Sequence, residues 1–251
     1  MRIHDIVICI TNKCNIKCGH CLRGSASNIM MDDKILKESI NFINYYEPAS
    51  VTISGGEPLL NQKAMTMLLS KVANQDTHFY IKTNGTIIPS TDLFLAISDL
   101  NFKYDYPISF VVSNSNYHIQ ACRGINRRFK DLIDMKVFGK EFAYVEETSN
   151  FSLIPQGRAK SHNVQNGIDK RCFDEFADFY YYYNDEPDDG ELDIAYISLD
   201  GNIYSSCNIS YKEEKTNKFK LSSIFDREAF EKNVIAKYDK QQKHQKGDIN
   251  G

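Results

Sequence analysis

Short β-branched runs alternating with helix-length stretches constrain this chain more than any other feature. The runs fall at residues 6–10, 51–54, 79–82, 108–113, 142–145 and 151–154. Between them, residues 32–46 (DDKILKESINFINYY) place Leu36, Ile40 and Ile43 on one face, with Asp32 or Asp33 available to cap the amino end. Residues 58–72 open on Pro58, whose fixed φ suits the first helical position. Further helix-length stretches occupy 91–100 and 119–135. Alternating strands and helices predict βαβ units, and hence a parallel sheet with right-handed crossovers. About six such units are present, so the expected α/β fold is a partial (β/α)6 TIM-type barrel or an open doubly wound sheet rather than the full eight-fold barrel.

The pattern changes after residue 160. A polar link leads to a helix-like stretch at 170–183 (KRCFDEFADFYYYY), with the tyrosine run as one buried face plus exposed rings, and then to an acidic turn at 184–193. A hairpin is expected next, with arms at 194–199 and 202–211 joined by Asp200-Gly201, a dipeptide that favours tight hairpin turns. A last helix is expected over about 226–240, becoming basic, glutamine-rich and frayed. The organisation read from this is a barrel core over 1–160, a small α+β extension over 161–225, and a terminal helix and tail over 226–251.

Composition narrows the function classes. With 42% hydrophobic and 25% charged residues the chain can bury a substantial core, which excludes a disordered protein. A near balance of 30 basic and 33 acidic residues gives no general attraction to nucleic acid or an anionic membrane. The longest apolar run near the start, 6–10, is too short for a signal-peptide core or a membrane span, so a cytoplasmic protein is expected. Seven cysteines, odd in number and irregularly spaced, fit reduced thiols better than a disulfide framework.

Three of those cysteines, Cys14, Cys18 and Cys21, stand in eight positions directly after the first strand (CNIKCGHC). A structural zinc site asks for a fourth ligand, and no second C-x-x-C or H-x3-H pair lies within zinc-finger distance. A cubane iron-sulfur cluster held by three thiolates keeps one iron open to another ligand. The loop also sits at a strand's carboxyl end, where barrel active sites are built. The second strand ends in the same way, in 51-VTISGGEPLL-60: Gly55 and Gly56 allow close backbone approach, and Glu57 adds a negative charge suited to an ammonium group. A Gly56→Val change is therefore expected to fill ligand space without touching the metal.

Together, C-x3-C-x2-C and Gly-Gly-Glu-Pro closely resemble the radical SAM superfamily. The resemblance implies one 4Fe-4S cluster on Cys14, Cys18 and Cys21, with S-adenosylmethionine held through its methionine amine by Gly55, Gly56 and Glu57. It further implies reductive cleavage of that cofactor to a 5'-deoxyadenosyl radical, which takes hydrogen from the substrate. By the same resemblance, Asn84 in 80-YIKTNGT-86 faces the cofactor, Ser113 at the end of the fourth strand meets its ribose, and Arg123 lies nearby. Relatives carry Ser-x-Asp where this chain has Ser113, Asn114 and Ser115, which withholds an acidic role there. Residues 153–160 (LIPQGRAK) resemble the end of the sixth strand in relatives with a SPASM or twitch extension, and 197–208 resemble the hairpin that begins one. An auxiliary cubane wants three or four protein ligands, whereas Cys172 and Cys207 supply two, so no second cluster is expected.

The implied partners are an electron donor such as flavodoxin or ferredoxin and a peptide or protein substrate. A nucleotide or small-molecule substrate is the alternative among enzymes, and a non-enzymatic zinc or iron-sulfur scaffold the alternative of another class. A scaffold has no need of the Gly-Gly-Glu-Pro turn. Elsewhere, Cys9 reads as a small buried hydrophobe, Cys122 as a packed thiol, and His20 as a shield beside the cysteines.

Overall fold

The structure, a computed structural model, describes residues 1–72, 76–105, 108–135, 143–146, 158, 179–183 and 190–248. Strands β1 (Arg2–Cys9), β2 (Ser50–Ser54), β3 (His78–Thr83), β4 (Ile108–Ser113) and β5 (Ala143–Glu146) run parallel, in the spatial order β5-β4-β3-β2-β1. The register aligns Ile6 with Val51, Val51 with Phe79, Phe79 with Ile108, and Phe110 with Ala143. Strand β6 (Tyr181–Tyr183) pairs antiparallel with the start of β7 (Gly190–Ile197), and β7 lies parallel along the free edge of β1, with Ile6 opposite Ala195. Strands β8 (Asn202–Tyr204) and β9 (Lys220–Ser223) continue the sheet antiparallel. The sheet is open, and its parallel half is the expected partial barrel.

Period-two patterning explains which face meets the helices. In β2 and β3, Val51, Ile53, Phe79 and Ile81 are buried in the main core, while Thr52, Ser54, Tyr80 and Lys82 on the opposite face are half-buried. The core face is covered by α1 (Asp33–Tyr46), α2 (Gln62–Lys71) and α3 (Thr91–Tyr104), through residues such as Leu36, Ile43, Leu68 and Ile97. Asp32 caps α1 by accepting from the Lys34 amide at 2.8 Å, and Ser90 caps α3 by accepting from the Leu93 amide at 3.3 Å.

Several expectations change. Residues 58–61 form a tight 3-10 turn before α2, because Glu57 caps the turn instead of starting a longer helix. The 119–135 stretch divides into α4 (Asn116–Ala121) and α5 (Arg128–Asp134), separated at Gly124, whose φ of +77 no helix accommodates. Tyr181–Tyr183 belong to a strand, since the edge of β7 supplies their hydrogen-bond partners; residues 170–178 lie outside the described residues, as do the expected strand 151–154 and Cys172. The hairpin keeps its Asp200-Gly201 turn, but its return arm is only three residues long. The terminal helix, α6 (Arg227–Asp248), runs past the expected fray point. It packs on β9 and seats Phe230 against Phe42 and Tyr46 of α1, while the Tyr46 hydroxyl donates to Glu231 at 2.7 Å. Burying Phe230 fully contributes on the order of 2–3 kcal/mol. Among the described residues, no helix is long and apolar enough to cross a membrane.

Candidate functional site

After β1 the chain leaves the sheet as a loop that folds back on itself: the Asn12 amide donates to the Ile29 carbonyl at 3.1 Å and the Met31 amide to the Ile10 carbonyl at 3.0 Å. The turn after β2 presses against this loop. The Gly56 amide donates to the Thr11 carbonyl at 2.7 Å, and the Glu57 amide to the Lys13 carbonyl at 2.8 Å. A Cβ at Gly55, where φ is +148, would stand 2.1 Å from the Thr11 oxygen, and one at Gly56 would stand 2.3 Å from the Lys13 oxygen. The two glycines are thus required first by the cysteine loop itself. This corrects the expectation for Gly56→Val, whose side chain would collide with the backbone one residue before Cys14.

Glu57 also departs from its expected place. Its side chain is fully buried and accepts from the Leu59 amide (3.1 Å), the Thr83 hydroxyl (2.8 Å) and the Asn84 amide (2.8 Å). It therefore fastens the end of β2 to the end of β3 and offers no free carboxylate to an ammonium. Burial pushes its carboxyl up to about 7, while the three donors favour the charged form.

A cavity of about 510 Å3 opens at the carboxyl ends of the parallel strands, lined by Cys14, Cys18, Cys21, Gly55, Gly56, Asn84 and Ser113 among others. Asn84 is held from both sides, its Nδ2 donating to Asn15 at 3.0 Å and its Oδ1 accepting from the Thr86 hydroxyl at 2.6 Å. Arg123 is exposed and lies outside this lining. The arginine that does bind this region together is Arg127, which donates to the Asn84 carbonyl (2.9 Å), Asn114 Oδ1 (2.6 Å) and the Ser113 carbonyl (2.6 Å). The sequence resemblance placed that role four residues early, because the turn between α4 and α5 carries an arginine at either end.

Two further arginines, neither assigned from the sequence, clamp the cysteine loop. Arg158 donates from Nε to the Cys18 carbonyl at 2.8 Å and from Nη1 to the Gly24 carbonyl, and its own amide donates to the Cys21 carbonyl at 3.0 Å. Arg23 reaches the other way. Its guanidinium donates to the Ile209 carbonyl, the Tyr196 hydroxyl and the Glu214 carboxylate, and lies 4.8 Å and 4.5 Å from the ring centres of Tyr196 and Tyr211. Burial works to lower its pKa, but Tyr196, Cys9 and Glu214 outweigh burial and keep it charged.

The donor set fits an iron-sulfur cluster. Three thiols face one cavity, and burial, then the neighbouring Cys14 and Cys21, push the Cys18 thiol up to about 12, so deprotonation there calls for a cation. Among the described residues, no three His, Cys, Asp or Glu side chains are gathered tightly enough to hold a single metal ion; cubane cysteines bind separate irons and stand farther apart.

One comparison agrees with this chemistry. Residues 6–99 match the 4Fe-4S single cluster domain family. An uncharacterized protein of Methanocaldococcus jannaschii is 31% identical over 88 residues, a stretch covering 33% of this chain and 31% of that relative. The structure of SuiB from Streptococcus suis bound to S-adenosylmethionine superposes with a TM-score of 0.50 at 14% identity, covering 82% of this chain and 60% of SuiB. SuiB bound to its precursor peptide SuiA gives a TM-score of 0.43 at 15% identity over the same 82% and 60%, and anSMEcpe with bound AdoMet and a Cp18Cys peptide gives 0.46 at 14% identity, covering 93% of this chain and 81% of that one. The resemblance to a 4Fe-4S single cluster domain covers the loop cysteines and the Gly55-Gly56 turn, and the fold is one that SuiB shares.

Around the three loop cysteines, the other described thiols and several rings are packed. Cys122 is buried against Ile16 and Cys18. His20 lies on Tyr117 with ring centres 4.8 Å apart and meets the edge of His118 at 4.6 Å, closing one rim of the cavity. Cys207 packs on the apolar group formed by Cys9, Tyr196, Tyr204, Ile209 and Phe219.

Proposed function

We propose that this chain is a radical SAM enzyme acting on a peptide or protein side chain, with one 4Fe-4S cluster on Cys14, Cys18 and Cys21 and S-adenosylmethionine beside it. The observation that carries this reading is that the three thiols and the Gly55-Gly56 turn line one cavity, with the turn hydrogen-bonded to the cysteine loop. When bound, the two cofactors supply reductive cleavage of a sulfonium and abstraction of a substrate hydrogen, with the electron coming from a flavodoxin or ferredoxin.

The chain's own residues bind and orient. The Gly56 and Glu57 amides are engaged by the cysteine loop, so the turn offers a methionine ammonium its carbonyl oxygens, the acceptors such a group needs. Asn84 and Ser113, fixed by Arg127, form the neighbouring wall for the nucleoside. His20 and Tyr117 shield the cysteines from water. In this reading residues 1–160 are the core, residues 161–225 extend it, and Cys207 serves packing, so one cluster is held per chain. SuiB, which shares the fold, binds a precursor peptide, and this supports the peptide class.

Anaerobic reconstitution followed by assay for 5'-deoxyadenosine tests the proposal. The wild-type protein should be brown and release 5'-deoxyadenosine once reduced, and the Cys14/Cys18/Cys21 triple alanine variant should be colourless. Iron retained in that variant, or a fully loaded wild type that leaves S-adenosylmethionine intact, would overturn it.

A further inference from the structure

Beyond β8 the chain comes back to the cysteine loop. The Tyr211 amide donates to the Arg23 carbonyl at 3.1 Å, two residues past Cys21. Its side chain packs on the apolar group of Cys9, Tyr196, Tyr204, Ile209 and Phe219, and the Arg23 guanidinium lies 4.5 Å from its ring centre. Tyr211 also lines the cavity, together with Cys14, Cys18 and Cys21. Backbone, ring and cation thus fix a tyrosine of the extension at the edge of the three thiols.

Its hydroxyl is left without an acceptor. The Tyr211 hydroxyl is buried and has no hydrogen-bond partner among the described residues. Arg23 beside it carries only donors, which go to the Ile209 carbonyl, the Tyr196 hydroxyl and the Glu214 carboxylate. Such a group can at most donate to the phenol oxygen, and the phenol proton stays unmatched. The neighbouring tyrosines differ: the Tyr196 hydroxyl donates to Glu214 Oε1 and the Tyr204 hydroxyl to the Glu214 carbonyl, each at 2.8 Å. An unmatched buried donor is costly, and such groups ordinarily find a partner, so this one points to an acceptor that arrives with a bound group. Cys21 is among the charges that act on the Tyr211 phenol. A thiol is a weak acceptor, whereas iron holds a cysteine as the thiolate, and thiolates and sulfides in a cluster are negatively charged acceptors.

We infer that the Tyr211 hydroxyl donates a hydrogen bond to the bound cluster at its Cys21 corner, and that the extension thereby sets the potential at which the cluster takes up its electron. This rests on the 4Fe-4S cluster proposed above for Cys14, Cys18 and Cys21. Reduction adds negative charge to the cluster, so a donor at its sulfur stabilises the reduced form more than the oxidised one and raises the reduction potential.

The test compares wild type with Tyr211→Phe, both reconstituted anaerobically. Phenylalanine keeps the ring against Arg23 and removes only the donor. Potentiometric titration follows the cluster with and without S-adenosylmethionine, and electron-nuclear double resonance of the dithionite-reduced cluster is recorded in water and in deuterium oxide. Wild type should show an exchangeable proton coupled to the cluster that the variant lacks. At equal iron content and fixed potential, the variant's ratio of reduced to oxidised cluster should fall about tenfold, a shift of about 59 mV toward more negative values for a one-electron couple. A ratio within threefold of wild type, or an unchanged set of exchangeable couplings, overturns the inference. A change that appears only once S-adenosylmethionine is bound also overturns it, assigning the hydroxyl to that cofactor. So does a variant that loads less than half the wild-type iron, which assigns the hydroxyl to the shape of the loop. Failure of the underlying reading shows separately, as a wild-type protein that binds no cluster.

Discussion

The two walls of the cavity are held by different means. The wall at the ends of β2, β3 and β4 is made by backbone: glycines without room for a Cβ, and amides of neighbouring turns bonded to the cysteine loop. The wall on the other side is made by arginine side chains that join the loop to positions far along the chain, Arg158 from one direction and the Arg23–Glu214–Tyr196 group from the other. The first wall can be changed only by moving main chain. The second depends on charges that must stay paired while buried.

Breaking the charged wall should have the largest effect. Glu214→Ala leaves the Arg23 guanidinium buried without its carboxylate, and the apo-protein should lose about 3–5 kcal/mol in urea unfolding. Glu214→Gln should recover part of that loss by keeping one acceptor. The backbone wall comes next: Gly56→Ala forces a Cβ against the Lys13 oxygen and should cost about 3 kcal/mol, the upper end for overpacking, while lowering iron content after reconstitution. Near-native iron in Gly56→Ala would show that the loop yields where the geometry says it cannot.

A smaller, pH-dependent effect belongs to Glu57, which links β2 to β3 within the backbone wall. Its carboxyl is raised by burial from 4.5 to about 7, so the folded state holds a proton that the unfolded state releases. The stability this group contributes is fully present below pH 4.5 and lost as the pH rises through 7, a fall on the order of 3 kcal/mol. Urea midpoints of the apo-protein measured across that window should slope downward, and Glu57→Gln should flatten the slope. Smallest is the contrast between the two arginines: Arg127→Ala should cost about 1–2 kcal/mol through its three lost bonds, and Arg123→Ala under about 0.5 kcal/mol.

That ordering also separates what could be read from the sequence. The parallel half was legible because β-branched runs with alternating Ser-Val-Thr-Ile-Ser character declare both a strand and its buried face, and the cysteine and glycine spacings lie within single loops. The resemblance pointed to Arg123, since it fixes only a region, whereas beyond the Gly124 break it is Arg127 that bonds the ends of β3 and β4. The Arg23–Glu214 pair was out of reach, because its partners are 191 residues apart and nothing local announces them. The same holds for the placement of β7, whose hairpin turn was readable while its parallel pairing with β1 was not. Glu57 was misread because its carboxylate looked free in sequence, and only the end of β3 reveals its three donors.

Because β1 lies between β2 and β7, it gains its full set of neighbours only when a strand about 190 residues further along the chain arrives. On the ribosome, the edge of β1 that β7 will cover stays open until residue 197 has emerged, and an uncovered strand edge invites pairing with other nascent chains. Arg23 likewise waits for Glu214. The cysteine loop therefore reaches its described shape only after residue 214 has been made, and chains terminated before that point are candidates for aggregation rather than for partial assembly.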